Sequence, residues 1–161
     1  MELRKIASFQ VDHTKIDRGL YISRVDGDIV TYDIRMKKPN AGDYISNGAL
    51  HTIEHLGATY LRSSDKAEGI IYFGPMGCRT GCYTVFRGIA RRDAIRLVRE
   101  MFEFLANFEG SIPGATEFEC GNFREHDLAA ARAEARAYLP VLENYTEEML
   151  DYTAARTIKK S

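Results

Sequence analysis

A chain of 161 residues, 45% apolar and 28% charged, has the mixture of an ordinary soluble globular protein; one domain spanning 1–161 is expected, with no room for a second large one. Its 22 basic and 23 acidic residues balance to a net charge of −1, which gives no field for nucleic acid or an anionic membrane and argues against both as partners. No apolar run approaches the ~20 residues of a membrane span, and the start "MELRKIASFQVDH" lacks the apolar stretch of a secretory signal, so a cytoplasmic location is expected.

Leu20 to Val25 reads as a short strand. Asp28 to Met36 alternates, with Ile29, Thr31, Asp33 and Arg35 on one face and Val30, Tyr32, Ile34 and Met36 on the other, the period of a half-buried strand. Asp26-Gly27-Asp28 between them is a turn signal and predicts a hairpin, which Pro39, Asn40 and Gly42 end. Asn47 is placed to cap a helix from about Gly48 to Ser63. Gly69 to Phe73 reads as a buried strand, followed by a glycine-rich turn and a second strand over Cys82 to Ala90. Arg91 to Phe108 carries Ile95, Val98, Phe102 and Leu105 at amphipathic helical spacing. "EGSIPGA" breaks the chain, Arg124 to Leu139 predicts an alanine-rich helix stopped by Pro140, and a last helix is expected from about Thr146 to Thr157. Hairpin-like strands mixed with helices favour an α+β fold, an antiparallel sheet packed with helices as a two-layer sandwich, over a doubly wound parallel sheet.

Chemistry concentrates first in "HTIEH". His51 and His55 lie four residues apart on the predicted helix, so both imidazoles reach one ion, and Glu54 lies beside them as a base or a supporting group. A solvated polar helix face is the plainer reading. A metal site that does chemistry needs a third protein donor and an open position. Cys120, in "FECGNFREHDL", is the soft, charged candidate, with His126 and His13 as competitors; His126, near a helix start, reads more readily as a capping or packing residue. Two nitrogens and a thiolate suit Zn²⁺ and Fe²⁺ alike.

Three cysteines in a soluble chain make a poor disulfide framework. Cys78, in the turn "PMGCRTGCY" beside Arg79, is a candidate acid/base or nucleophile, because turn amides and a nearby cation favour a reactive thiol; a small residue filling a turn is the alternative. Cys82, at the start of a predicted strand, reads as structural.

HTIEH, then PMGCRTG, then ECG followed by HDL, in this order and in a chain of this length, resemble the S-ribosylhomocysteine lyase family, the LuxS-type autoinducer-2 synthases of bacteria. "SFQVDH" and "YDIR" are also similar to that family, so the resemblance runs from about Ser8 to Leu139. It implies one divalent metal per subunit, Fe²⁺ or Zn²⁺, on His51, His55 and Cys120, with Glu54 and Cys78 as proton carriers. It implies a substrate site lined by Ser8, His13 and Arg35, with Arg62 toward the amino-acid end of S-ribosylhomocysteine. It also implies a homodimer with active sites at the subunit interface. The chain departs from the family pattern where an acidic residue is usual six positions before the reactive cysteine, here Tyr72, and where a serine precedes Pro75, here Gly74.

Two rival readings start from the same motif. HxxEH also marks an inverted zinc peptidase, whose third ligand is a downstream glutamate. A non-catalytic metal-binding module needs a closed set of four protein ligands.

Overall fold

The computed structural model describes residue 1 and residues 3–152. A four-stranded antiparallel sheet, in the order β1-β2-β4-β3, forms one layer, and three helices form the other. Strands β1 (Gly19–Asp26) and β2 (Ile29–Arg35) make the expected hairpin, turned by Gly27 at φ 63°. Strands β3 (Ile70–Pro75) and β4 (Gly81–Arg87) make a second hairpin, and β4 pairs with β2 at the centre.

Helix α1 (Asn47–Arg62) starts one residue earlier than the sequence predicts, because Ser46 rather than Asn47 caps it, its side chain accepting from the Ala49 amide. It buries Ala49, Leu50, Ile53, Leu56, Gly57 and Leu61. Gly57 is required by a close approach: a Cβ there would stand 2.4 Å from the Phe73 ring of β3. Helix α2 (Arg91–Asn107) buries Ala94, Leu97, Val98, Met101, Phe102 and Leu105, while Ile95 falls to the margin of the apolar stripe. Helix α3 (Leu128–Tyr138) is capped by Asp127 and packs through Ala131 and Ala135, whose small side chains are fully buried.

The structure corrects several expectations. Helix α3 begins at Leu128 rather than near Arg124, because residues 121–127 form turns over α1. Pro140 does not end the helical path but sits inside a 3₁₀ turn, Leu139–Leu142. The predicted last helix is a single 3₁₀ turn, Glu147–Leu150; the remainder of that prediction, residues 153–157, lies outside the described residues. Strand β3 is an edge strand, and Ile71 and Tyr72 are exposed.

The largest departure concerns β2. A half-buried strand is expected, yet at its C-terminal end both faces are buried: Ile34 and Met36 on one, and on the other Asp33, 1% exposed, and Arg35, 2% exposed. A second apolar cluster of Val11, Ile16 and Tyr152, with Tyr21 against it, covers this side of the sheet, and Tyr21 and Tyr152 stack at 4.6 Å. Alternation identifies the two faces of a strand but not what packs on the second one.

Gly81 opens β4 where no side chain fits, since a Cβ would lie 1.9 Å from the Ile34 carbonyl oxygen. Gly81→Ala is expected to lower unfolding free energy by about 3 kcal/mol, at the upper end for overpacking against backbone. A denaturant titration of wild type and variant measures this.

Candidate metal centre

Along α1, His51, Glu54 and His55 form a half-buried stripe beside the buried face. The segment between α2 and α3 lies over that stripe. Carbonyl groups on this segment hold the two rings: His51 Nδ1 lies 2.9 Å from the Glu125 oxygen, and His55 Nδ1 lies 2.8 Å from the Pro113 oxygen. Carbonyl oxygens only accept, so each Nδ1 carries the proton and each Nε2 presents its lone pair. Gly114, at φ 72°, allows the close approach to His55: a Cβ there would stand 3.2 Å from His55 Nδ1.

The same segment brings Cys120 Sγ to 3.3 Å from His51 Nε2. Among the described residues, His51, His55, Cys120 and His126 form one group whose ligand atoms all lie within 4.8 Å of one another. Two Nε2 lone pairs and a thiol, with both outer nitrogens anchored on backbone oxygen, are the donor set and the support that a divalent cation requires. The residues present therefore fit a metal ion, with Zn²⁺ and Fe²⁺ both compatible with the donors.

His126 was read in the sequence as a competing ligand or a packing residue, and it belongs to the cluster. Its ring stacks on His51 at 4.0 Å and 22°, whereas His51 and His55 meet edge to face at 4.7 Å. Burial first, then His51 and His55, hold the His126 ring below its usual pKa. His13, the other competitor, is elsewhere in the contact network: its Nδ1 lies 2.9 Å from the Val11 oxygen. Among the described residues, no hydrogen bond, ion pair or ring contact joins Ser8 or His13 to the cluster.

A second constellation forms at the β3–β4 turn. Arg35 donates from Nη1 to Thr80 Oγ1 at 2.7 Å and approaches Cys78 Sγ at 3.9 Å. Thr80 Oγ1 lies 3.0 Å from the same sulfur. Arg35 is held in turn by Asp33, at 2.6 Å from Nη2, and Asp33 accepts from the Tyr152 hydroxyl at 2.5 Å. Burial opposes the charge on Arg35, but the Asp33 carboxylate outweighs it and keeps the guanidinium firmly protonated. Cys78 is exposed and Cys82 is buried; burial, with the Glu54 charge added, pushes the Cys82 thiol up. The Arg79 carbonyl accepts from the Ile45 amide at 3.0 Å, which ties this turn to the residue before the α1 cap.

Arg62, at the end of α1, donates to the Ile71 carbonyl of β3. The two departures at Tyr72 and Gly74 are coupled in space. A Cβ on residue 74 would lie 2.0 Å from the Tyr72 hydroxyl oxygen, so a serine there would collide with the tyrosine as it is placed. Sequence reasoning missed Thr52, Thr80 and Tyr152. Each is an ordinary residue type whose role comes from a partner distant in the chain, except Thr80, which stands two residues from Cys78.

The fold and these side chains define a small α+β protein with a group of His51, His55, Cys120 and His126 that could hold a metal ion, borne by one helix and one loop. Comparison with known proteins agrees: residues 6–149 match the family model described as S-Ribosylhomocysteinase (LuxS). Relatives named S-ribosylhomocysteine lyase include one from Borreliella afzelii (strain PKo), 48% identical over 93% of this chain and 99% of the relative. Another, from Desulfotalea psychrophila, is 48% identical with the same coverage, and a third, from Phocaeicola vulgatus, is 48% identical over 93% of this chain and 98% of its own. The chain belongs to the S-ribosylhomocysteinase (LuxS) family.

Cys120→Ala is expected to weaken Zn²⁺ binding by at least about 100-fold, since losing even a supporting partner of a ligand costs about 10- to 100-fold. Competition with a chromophoric chelator measures it. Alkylation with iodoacetamide, followed by peptide mapping, should modify Cys78 well before buried Cys82.

Proposed function

We propose that this chain cleaves S-ribosylhomocysteine to homocysteine and 4,5-dihydroxy-2,3-pentanedione, the autoinducer-2 precursor, with Fe²⁺ as the native ion and Zn²⁺ as a substitute. The observation that carries this reading is the convergence of His51, His55 and Cys120 in a chain of this family. A peptidase of the inverted type would need a glutamate as third donor, whereas the side chain 3.3 Å from His51 Nε2 is the Cys120 thiol.

The chemistry moves a carbonyl along an opened sugar and then expels the homocysteine thiolate by β-elimination. Its difficulty is the removal of protons next to a carbonyl near neutral pH. A divalent ion on His51, His55 and Cys120 would act as a Lewis acid toward the sugar oxygens. Cys78 takes and returns protons in the early carbonyl migrations. Thr80, which accepts from Arg35, has its own proton free to donate to the Cys78 sulfur, and Arg35 approaches the same atom. Two donors on one sulfur give Cys78 the surroundings a proton-accepting thiol needs. Glu54, on the helix beside His55, handles the later transfers, including the proton lost as the carbon–sulfur bond breaks. Two bases reaching different carbons avoid asking one group to travel along the sugar.

Ser8, His13 and Arg35 line the sugar site and Arg62 meets the amino-acid end of the substrate in this proposal. Ser8 and His13 serve a partner's centre in a homodimer, a reading supported by the exposed apolar residues Leu3, Ile6 and Phe9 around them. No described helix is long and apolar enough to cross a membrane. The net charge of −1 gives no overall attraction for nucleic acid, and the site of action proposed is the cytoplasm.

Glu54→Gln and Cys78→Ala are each expected to keep wild-type metal content and to lose about 10²- to 10⁴-fold in turnover, the range for one acid/base group. Metal analysis paired with a thiol-release assay on S-ribosylhomocysteine tests both. Normal turnover in either variant removes that residue from the proposed chemistry, and no homocysteine from the wild type rejects the function.

A further inference from the structure

His126 is the member of the histidine cluster that the proposed chemistry leaves unused. Its ring is held by Thr52 at Nδ1 and by stacking on His51. The Thr52 hydroxyl, one turn into α1, donates its only proton to the Gly48 carbonyl at 2.8 Å. Thr52 Oγ1 also accepts from the Asp127 amide at 2.9 Å and lies 3.3 Å from His126 Nδ1. With the hydroxyl proton committed, the contact to His126 requires Nδ1–H as donor, so Nε2 carries the lone pair. That Nε2 is buried and has no hydrogen-bond partner among the described residues. Buried polar atoms without partners are uncommon in folded proteins and mark a group waiting for a ligand or water.

Ring geometry separates His126 from the ligands. Imidazoles bound to one tetrahedral ion at 2.0–2.1 Å place their ring centres about 5 Å apart. His51 and His55, at 4.7 Å and edge to face, match that arrangement. His126 meets His55 edge to face at 4.8 Å in the same way, but it lies nearly parallel on His51 at 4.0 Å, closer and flatter than two rings that share one ion. His126 thus lies within the same cluster, its ligand atom within 4.8 Å of the others, and its stacking on His51 is what sets it apart from the His51–His55 pair.

From this placement, and resting on the proposed function, we infer that His126 is a further substrate-contacting residue: its Nε2 accepts a hydrogen bond from a sugar hydroxyl seated against His51, His55 and Cys120. A polyhydroxylated substrate brings several donors into a site whose other imidazole nitrogens are committed. Beside the Glu54 carboxylate, Nε2 of His126 is an unpaired acceptor available to one of them. Stacking on His51 and the Thr52 anchor hold it in place before substrate arrives, so no ordering of this side chain opposes binding.

Two variants divide this role from a purely structural one. Asparagine keeps a donor near the position of Nδ1, and with it the Thr52 contact, but has nothing at Nε2. Glutamine extends an oxygen acceptor to about the reach of Nε2. The full chain, loaded with Co²⁺, is titrated with S-ribosylhomocysteine, and the visible bands are read before turnover alongside KM and kcat. His126→Asn is expected to retain metal and raise the half-saturation concentration and KM about tenfold, the loss of one hydrogen bond. His126→Gln is expected to stay within about threefold of wild type. Wild-type substrate binding in His126→Asn, or its loss only in His126→Gln, overturns the inference and leaves His126 a loop clamp. X-ray absorption of the wild-type cobalt protein needs no variant: two imidazoles per ion support the assignment, and three overturn it by making His126 a ligand. A wild type that does not respond to S-ribosylhomocysteine rejects the proposed function, and the contact assignment falls with it; a normal wild-type response with an unchanged His126→Asn removes the contact alone.

Discussion

The centre depends on how one loop is fastened to one helix. Helix α1 supplies two imidazoles four residues apart, but an α-helix does not choose which ring nitrogen faces outward. The carbonyls of Pro113 and Glu125 make that choice by accepting from the Nδ1 atoms. The same loop carries Cys120 into range of His51 and is pinned at its far end, where the Asp127 amide donates to both Gly48 and Thr52 of α1. Tautomer, third donor and loop position are therefore set by one group of backbone hydrogen bonds. Each costs the chain little beyond what it must satisfy anyway, since buried amides and carbonyls need partners.

The second constellation follows a different logic. Cys78 lies in an exposed turn, where it is accessible, and its neighbours are organised from inside the sheet. Asp33 and Arg35 sit two residues apart on β2, so they share a face, and the ion pair between them is almost fully buried. A buried pair is weak evidence for stability by itself, because desolvation offsets attraction. Its effect here is directional: with Nη2 on Asp33, Nη1 is left for Thr80 and Cys78.

Much of this was legible in the sequence for identifiable reasons. The hairpin turn at Gly27, the four strands and the three long helices follow from periodicity and punctuation, and the grouping of His51, His55 and Cys120 as candidate donors from donor chemistry and spacing. Boundaries failed where a tertiary contact set them. Ser46 outcompeted Asn47 as a cap, and residues near Arg124 were drawn into turns over α1 instead of extending α3. The burial of Asp33 and Arg35 was invisible because nothing in the sequence says that the covering residues, Val11, Ile16 and Tyr152, pack on this face of the sheet. His126 was visible as a histidine, but its stacking on His51 and its anchoring by Thr52 exist only once the loop has folded back.

The hydrogen bond from Tyr152 to Asp33 spans 119 residues of chain. During synthesis on a ribosome the sheet and the histidine-bearing helix emerge long before that phenol does. Until it arrives, the aspartate lacks one of its two donors and the guanidinium beside it lacks its final restraint. The nascent protein thus exposes its two helix histidines early, the Cys120 loop well after them, and last the phenol that completes the corner around Cys78, an order of assembly written into the distance between side chains.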